Sequence, residues 1–221
     1  DQDVENAVDA CTGIETPKPQ RTREQKDNLE RLLDLAQIPS NFLVQDMLYA
    51  TQAMSDLVYD RKKLRGKLGT GNKNVVYGDP AVDAAIKRVK ARRGKARKLG
   101  RFFTPKGRVG QAKIVSMHTN RDGLVLVENQ SIYADVVPAT SLTTVIVRER
   151  RASHCVFSPG EILAGWEALR AWVDSGLQPT ALDIQEVCED SLGVDEICRI
   201  DPDFELPDPD VRMRPRNRDW D

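Results

Sequence analysis

The chain has 221 residues, of which 40% are hydrophobic and 30% charged, and its formal net charge is −1. This length allows one or two domains, and the hydrophobic fraction is sufficient for a packed core. No apolar stretch approaches the ~18 residues of a membrane span, so we expect none.

The first hundred residues have the apolar spacing of helices. A helix is predicted to begin at Thr22, because leucines recur at intervals of three and four residues over 29–36. A second amphipathic helix is expected over 42–58. Asp79 before a proline predicts the start of a further helix over 81–89. The methionines and aromatic residues of the second helix are typical of core packing, and an acyl-binding pocket is the alternative. We predict a mainly helical segment over 1–100.

Charge is strongly segregated along the chain. Residues 61–110 hold 17 basic and 2 acidic residues, net +15, between flanks of net −7 and −9. The densest part is predicted to be a basic helix over 87–101, and such a run is typical of a polyanion site. It lacks the interleaved aromatic residues that stack on bases, which argues against nucleic acid. Alternatively, it is a solvated helix face balanced by acidic partners, or it attracts an anionic substrate.

The next segment alternates strands and helices. An apolar run of strand length over 112–118 leads to a turn at Asp122, which precedes a glycine. A helix-like segment over 127–136 is followed by the β-branched run 142–147, which predicts a buried strand. This order is typical of an α/β fold, which carries its chemistry on loops at the carboxyl ends of strands.

One of only two histidines follows the second predicted strand. His154 lies before Ser158, a proline and Glu161, a pattern that predicts a helix start with a capping box. Asp122 and His154 are therefore a candidate acid–base pair. Taken alone, a loop histidine is more often an ordinary surface residue and Asp-Gly more often a simple turn. The other histidine, His118, ends a strand and is expected to be structural.

Several segments around this pair carry a family resemblance. They are Phe103 to Arg108, His118 to Val125, Glu128 to Gln130, Tyr133 with Ala134, and Arg151 to Glu161. Together they resemble the carboxyl-terminal third of secreted bacterial serine hydrolases of the α/β-hydrolase fold. The family's usual Ala-Gly-His-Cys has Ser153 in place of glycine here, which narrows the backbone freedom beside His154. A looser similarity at 71–74 resembles the end of the family's cap.

The resemblance implies a Ser-His-Asp mechanism of acyl transfer. The acid and histidine follow the serine in the chain order of this fold. Asp122 would hold His154 in one tautomer, and His154 would take the proton from a serine hydroxyl. Ester hydrolysis is the leading reaction, with amide cleavage close behind. No cofactor is implied, and no metal site is expected without Cys-x-x-Cys or paired histidines.

The sequence contains no Gly-x-Ser-x-Gly, the motif that presents the nucleophile in this fold. We therefore expect an amino-terminal chain or half to supply the serine, the oxyanion hole and the remaining strands, because part of such a sheet would expose a hydrophobic edge. Maturation into two associated chains is the favoured explanation, and a fragment or a degenerate subunit are the others. The alternative function is a noncatalytic structural or polyanion-binding subunit that uses the basic helix.

These patterns divide the chain into three parts. The cap-like helical segment covers 1–100, a carboxyl-terminal part of an α/β-hydrolase core covers 101–176, and an acidic, proline-rich tail covers 177–221. A short helix is expected at 181–188 within the tail.

The four cysteines predict one disulfide and an oxidising location. Cys188 and Cys198 are predicted to form a disulfide that staples the tail. Cys155 is expected to be buried, and Cys11 is a candidate for pairing with the missing half. Four cysteines in a loop-rich chain favour an oxidising compartment, so we expect a secreted or extracytoplasmic protein.

Overall fold

The computed structural model describes residues 2–36, 52–151, 154–191 and 197–209. The chain divides into two compact units, Asp1–Thr104 and Pro105–Asp221. Most of the helix predicted over 42–58 lies outside the described residues. No helix in the described ranges combines the length and the apolarity that crossing a membrane requires.

The first unit is built from helices. Their bounds are Gln2–Thr12 (α1), Arg23–Ala36 (α2), helical residues 52–59 (α3), Pro80–Ala85 (α4) and Arg93–Phe102 (α5). The helix predicted after residue 22 is confirmed as α2, which starts with a capping box in which Thr22 and Gln25 exchange side-chain-to-backbone hydrogen bonds. Asp79 caps α4 as predicted, but this helix ends before the predicted residue 89.

The basic helix predicted over 87–101 is wrong in its first part. Residues 87–92 are not helical, and α5 begins only at Arg93. Asn72 holds this segment, because its Oδ1 accepts a hydrogen bond of 2.7 Å from the backbone N–H of Val89. Side-chain amides that bond to backbone groups compete with helical hydrogen bonds. The basic run is therefore part loop and part helix.

The second unit is a mixed α/β arrangement, which confirms the predicted class. Its elements are Ile114–Thr119 (β1), Glu128–Val136 (α6), Leu142–Val147 (β2), Pro159–Ser175 (α7) and Ala181–Ser191 (α8). The strands pair in parallel, with Ile114 opposite Leu142 and Thr119 opposite Val147. Helix α6 makes the crossover between them, so both strands end at the same edge. The predicted order of strand, helix, strand and helix is thus confirmed.

The core of the second unit forms where α7 and α8 pack on the sheet. Its buried members are Val145, Val147, Ala164, Ala168, Ile184, Cys188 and Ile200. Strand β2 is buried along almost its whole length, as its β-branched residues predict. Helix α7 approaches β1 closely at Gly165, where a Cβ atom would come within 2.7 Å of the Met117 sulfur. This packing fixes the strand ends that carry the candidate site.

The chain after α8 returns to the sheet. Ile200 forms an antiparallel bridge with Val147, and the backbone N–H of Arg148 donates to the carbonyl of Arg199 at 2.8 Å. The predicted disulfide between Cys188 and Cys198 is confirmed, and it joins α8 to this returning segment. Helix α8 extends to Ser191, beyond the predicted residue 188. This part of the predicted tail therefore contributes to the core.

Candidate active site

Asp122 lies in the loop that follows β1. Its side chain is 3% exposed, and its Oδ1 accepts backbone hydrogen bonds from Leu124 at 2.9 Å and Val125 at 2.7 Å. The turn predicted from Asp-Gly is thus held by the carboxylate itself. Two N–H donors on one oxygen fix the carboxylate, and Oδ2 accepts no backbone hydrogen bond from the described residues.

His154 lies in the loop that follows β2 and contacts this carboxylate. Its Nδ1 is 2.8 Å from Oδ2 and 3.0 Å from Oδ1 of Asp122. The imidazole is 36% exposed, and the Asp122 carboxylate that it contacts is almost fully buried. A carboxylate acceptor favours the tautomer in which Nδ1–H donates, which leaves the Nε2 lone pair available as a base. The structure therefore brings together the two residues singled out from the sequence.

The two loops are bound to each other by groups that the sequence did not reveal. Asn120 donates its backbone N–H to the carbonyl of Val147 at 3.1 Å, and its Oδ1 accepts from the backbone N–H of Glu149 at 2.7 Å. Arg121 donates to the carbonyl of Arg150 at 3.0 Å. In the sequence, this link could be suspected only from Asn120, which follows a predicted strand. Asparagine is common in turns, so its presence does not predict a bond between two loops.

Arg199 binds groups at both ends of the loop that carries His154. It forms ion pairs with Glu149, at the start of the loop, and with the fully buried Glu161, at the start of α7. It also donates to the carbonyl of Val156 at 3.1 Å. The hydrogen bond to Glu161 is the main reason that the pKa of Arg199 is raised. The same Glu161 completes the predicted capping box with Ser158, which is confirmed.

Cys155 is exposed, so the prediction that it is buried is wrong. Its φ is +51°, and its Sγ lies 3.6 Å from both ring nitrogens of His154. Partial desolvation of the sulfur, followed by the nearby charge of Asp122, raises the pKa of the thiol. Three possible metal-ligand atoms lie within 4.8 Å of one another here, one each from Asp122, His154 and Cys155.

The other predicted positions lie apart from this pair. His118 is in β1 opposite Ile146, and its Nδ1 is 2.8 Å from the carbonyl oxygen of Thr119. Within the described ranges, no serine hydroxyl forms a hydrogen bond with His154; the Oγ of Ser116 donates to Gln130, for example. The geometry thus provides an oriented imidazole to which no serine hydroxyl is bonded in the described part of the chain.

No model of a protein family, no curated protein and no solved structure matches the chain.

Proposed function

We propose that this chain supplies the acid and the histidine of a serine hydrolase of the α/β-hydrolase type that cleaves carboxylic esters. The observation that carries the proposal is the contact of 2.8 Å between His154 Nδ1 and the buried carboxylate of Asp122. The two residues come from loops after adjacent parallel strands, and open α/β sheets place catalytic groups at this edge. An amino-terminal chain or half provides the serine and the oxyanion hole.

The mechanism follows from the orientation of the ring. Asp122 holds the Nδ1–H tautomer and stabilises the imidazolium that forms when Nε2 takes the serine proton. The serine oxygen then attacks the ester carbonyl carbon, and His154 returns the proton to the departing alkoxide. Water, activated by the same nitrogen, hydrolyses the acyl-enzyme. General-base catalysis of this kind contributes roughly 10²–10⁴-fold in rate. Amides are the second substrate class, since the same steps cleave them.

Two surfaces of the second unit support a partner that adds further strands. In the described part of the chain, the sheet has only the strands β1 and β2, so one edge of β1 has no strand beside it. Parallel sheets are normally covered on both faces, and sheets most often have about four to six strands. Helix α7 also exposes Ile162, Trp166 and Val173 by more than half of their surface. A strand-bearing partner would bury apolar groups of this kind.

The disulfide between Cys188 and Cys198 supports a secreted or extracytoplasmic location, because such bonds persist in oxidising compartments.

The proposal is tested by locating the nucleophile. Protein isolated from its native source through this chain is treated with a fluorophosphonate, which reacts with activated serines, and the labelled peptide is identified by mass spectrometry. We expect one labelled serine, on a polypeptide segment other than the described residues, and loss of labelling in His154→Ala. Absence of a labelled serine, or labelling that persists in His154→Ala, would reject the proposal.

A polyanion-binding role is the second candidate, favoured by one observation in the first unit. An open surface cavity of about 470 Å³ is lined by Lys67, Arg92, Gly94, Lys95 and Lys98, with no acidic residue among them. The pKa of Lys95 is lowered, first by desolvation and then by the charge of Lys98. None of the ion pairs in the described ranges uses these four cations. An anion would relieve this concentration of like charge.

A further inference from the structure

Cys155 adds a third ligand type to the Asp122–His154 pair. Its Sγ is 3.6 Å from His154 Nδ1, and the same nitrogen is 2.8 Å from Oδ2 of Asp122. Zinc binds sulfur at about 2.3 Å and nitrogen or oxygen at about 2.0–2.2 Å, so two ligands of one tetrahedral ion lie about 3.3–3.6 Å apart. The sulfur–nitrogen distance already has this value, and the nitrogen–oxygen distance of 2.8 Å needs to open by about 0.5–0.7 Å.

The chemistry of the cluster selects a class of ion. A thiolate, an imidazole and a carboxylate together suit zinc, whereas magnesium and calcium prefer oxygen ligands alone. The thiolate and the carboxylate would neutralise the two charges of the ion. Cys155 and His154 are exposed, which gives the ion a route from solvent and leaves room for a water as fourth ligand.

We propose that Asp122, His154 and Cys155 form an inhibitory site for a thiophilic divalent cation such as zinc. Binding releases the thiol proton of Cys155 to solvent. Zinc binds the lone pair of His154 Nδ1. The ring proton, which Nδ1 had donated in its hydrogen bond to Asp122, therefore moves to Nε2. The ring stays neutral, but Nε2 is now a donor and can no longer remove a proton from serine. This consequence rests on the proposed hydrolase function, whereas the binding itself does not.

The chain offers a matched control for the test. Cys11 is the other free cysteine in the described ranges and is also exposed, but it lies in the first unit. The chain with its Cys188–Cys198 disulfide intact, and its Cys155→Ser, His154→Ala and Cys11→Ser variants, are titrated with zinc chloride by calorimetry. Cobalt(II) serves as a spectroscopic probe, since a thiolate ligand gives a sulfur-to-cobalt charge-transfer band. Circular dichroism verifies that each variant is folded.

We expect one zinc ion per chain and the release of one proton, measured by repeating the titration in buffers of different ionisation enthalpy. Cys155→Ser and His154→Ala should each weaken binding by more than about 100-fold, since even outer-shell partners of a metal contribute about 10–100-fold. Cys11→Ser should bind as the unaltered chain does. Cobalt bound to the unaltered chain should show the charge-transfer band, and cobalt with Cys155→Ser should not.

The proposal is overturned if zinc does not bind, if Cys155→Ser binds zinc equally well, or if Cys11→Ser loses binding to the same extent. Binding is measured without substrate and without a serine. Failure of zinc binding therefore leaves the hydrolase proposal intact, and failure of hydrolysis leaves the metal site intact.

Discussion

Asp122 has two structural tasks at once. Its Oδ1 closes the turn after β1 by accepting two backbone hydrogen bonds, and its Oδ2 is the atom nearest to His154 Nδ1. The interpretation of Asp-Gly as a turn and its interpretation as a site residue are therefore compatible. A carboxylate held on one oxygen by backbone donors is already oriented, so little ordering remains when the other oxygen receives the imidazole.

The charge of Asp122 is the second cause, after desolvation, of the raised pKa of Cys155. Desolvation and this charge both raise the pKa of the thiol, so at neutral pH the sulfur is protonated and poorly nucleophilic. Asp122→Asn removes the charge, which should lower the pKa and speed the alkylation of Cys155 by iodoacetamide several-fold. Mass spectrometry measures the rate, with Cys11 as the internal reference. An unchanged or slower reaction of Cys155 would show that Asp122 does not act on the thiol.

The Asp122–His154 contact could be anticipated from the sequence, whereas the exposure of Cys155 could not. Each member of the pair follows a predicted strand, and parallel neighbours end at one edge, which places the two loops together. Cysteine is among the most often buried residues, so burial was the reasonable prediction. Its outward position depends on a φ of +51° in a short loop, and nothing in the local sequence specifies this value.

At the scale of elements, the buried carboxylate of Glu161 stabilises the start of α7. Glu161 is fully buried, accepts from the backbone N–H of Ser158, and pairs with Arg199. Glu161→Ala should lower the free energy of unfolding by about 3 kcal/mol, because it leaves a partly buried guanidinium with one fewer partner. Chemical denaturation measures the change. The exposed Glu167→Ala on the same helix should change it by less than about 0.5 kcal/mol. Equal effects would mean that the buried pair is not stabilising.

The loop before β1 contains a glycine with two separate constraints. Gly107 has a φ of +64°, and a Cβ there would overlap the carbonyl oxygen of Val136. Gly107→Ala should cost about 2–5 kcal/mol of unfolding free energy, the sum of backbone strain and overpacking. Gly110 has a similar φ of +60° with open space around it, so Gly110→Ala should cost only about 1–2 kcal/mol. Thermal or denaturant unfolding measures the stability of both variants. Equal losses of unfolding free energy would contradict the close approach of Gly107 to the Val136 carbonyl.

Element boundaries were predicted well where local signals exist and poorly where distant groups decide. The capping residues Ser158 and Thr22 mark helix starts within a few positions of sequence. The basic run over 87–101 is split because Asn72 bonds to its first part from 17 positions away. Arg199 was missed for the same reason, since its partner Glu161 lies 38 residues earlier.

At the scale of the whole molecule, segregated charge gives the first unit a cationic cavity. Lys67→Gln with Arg92→Gln removes two of its four charges, whereas Lys90→Gln with Arg97→Gln removes two exposed charges outside its lining. If the cavity binds polyanions, the first double variant should lower the salt dependence of heparin binding by about 2 in log–log slope. The second should change it less. Affinity measured over a range of salt concentrations distinguishes them, and identical behaviour would indicate only diffuse attraction.

The proposed hydrolase requires His154, oriented by Asp122, to be the general base for a serine supplied by another segment. Hydrolysis of a p-nitrophenyl ester by the assembled protein tests it most directly, with His154→Ala compared against the strand histidine variant His118→Ala. We predict that His154→Ala lowers kcat by at least about 10³-fold while the fold persists, and that His118→Ala retains turnover. Unchanged turnover in His154→Ala would contradict the catalytic role of this histidine.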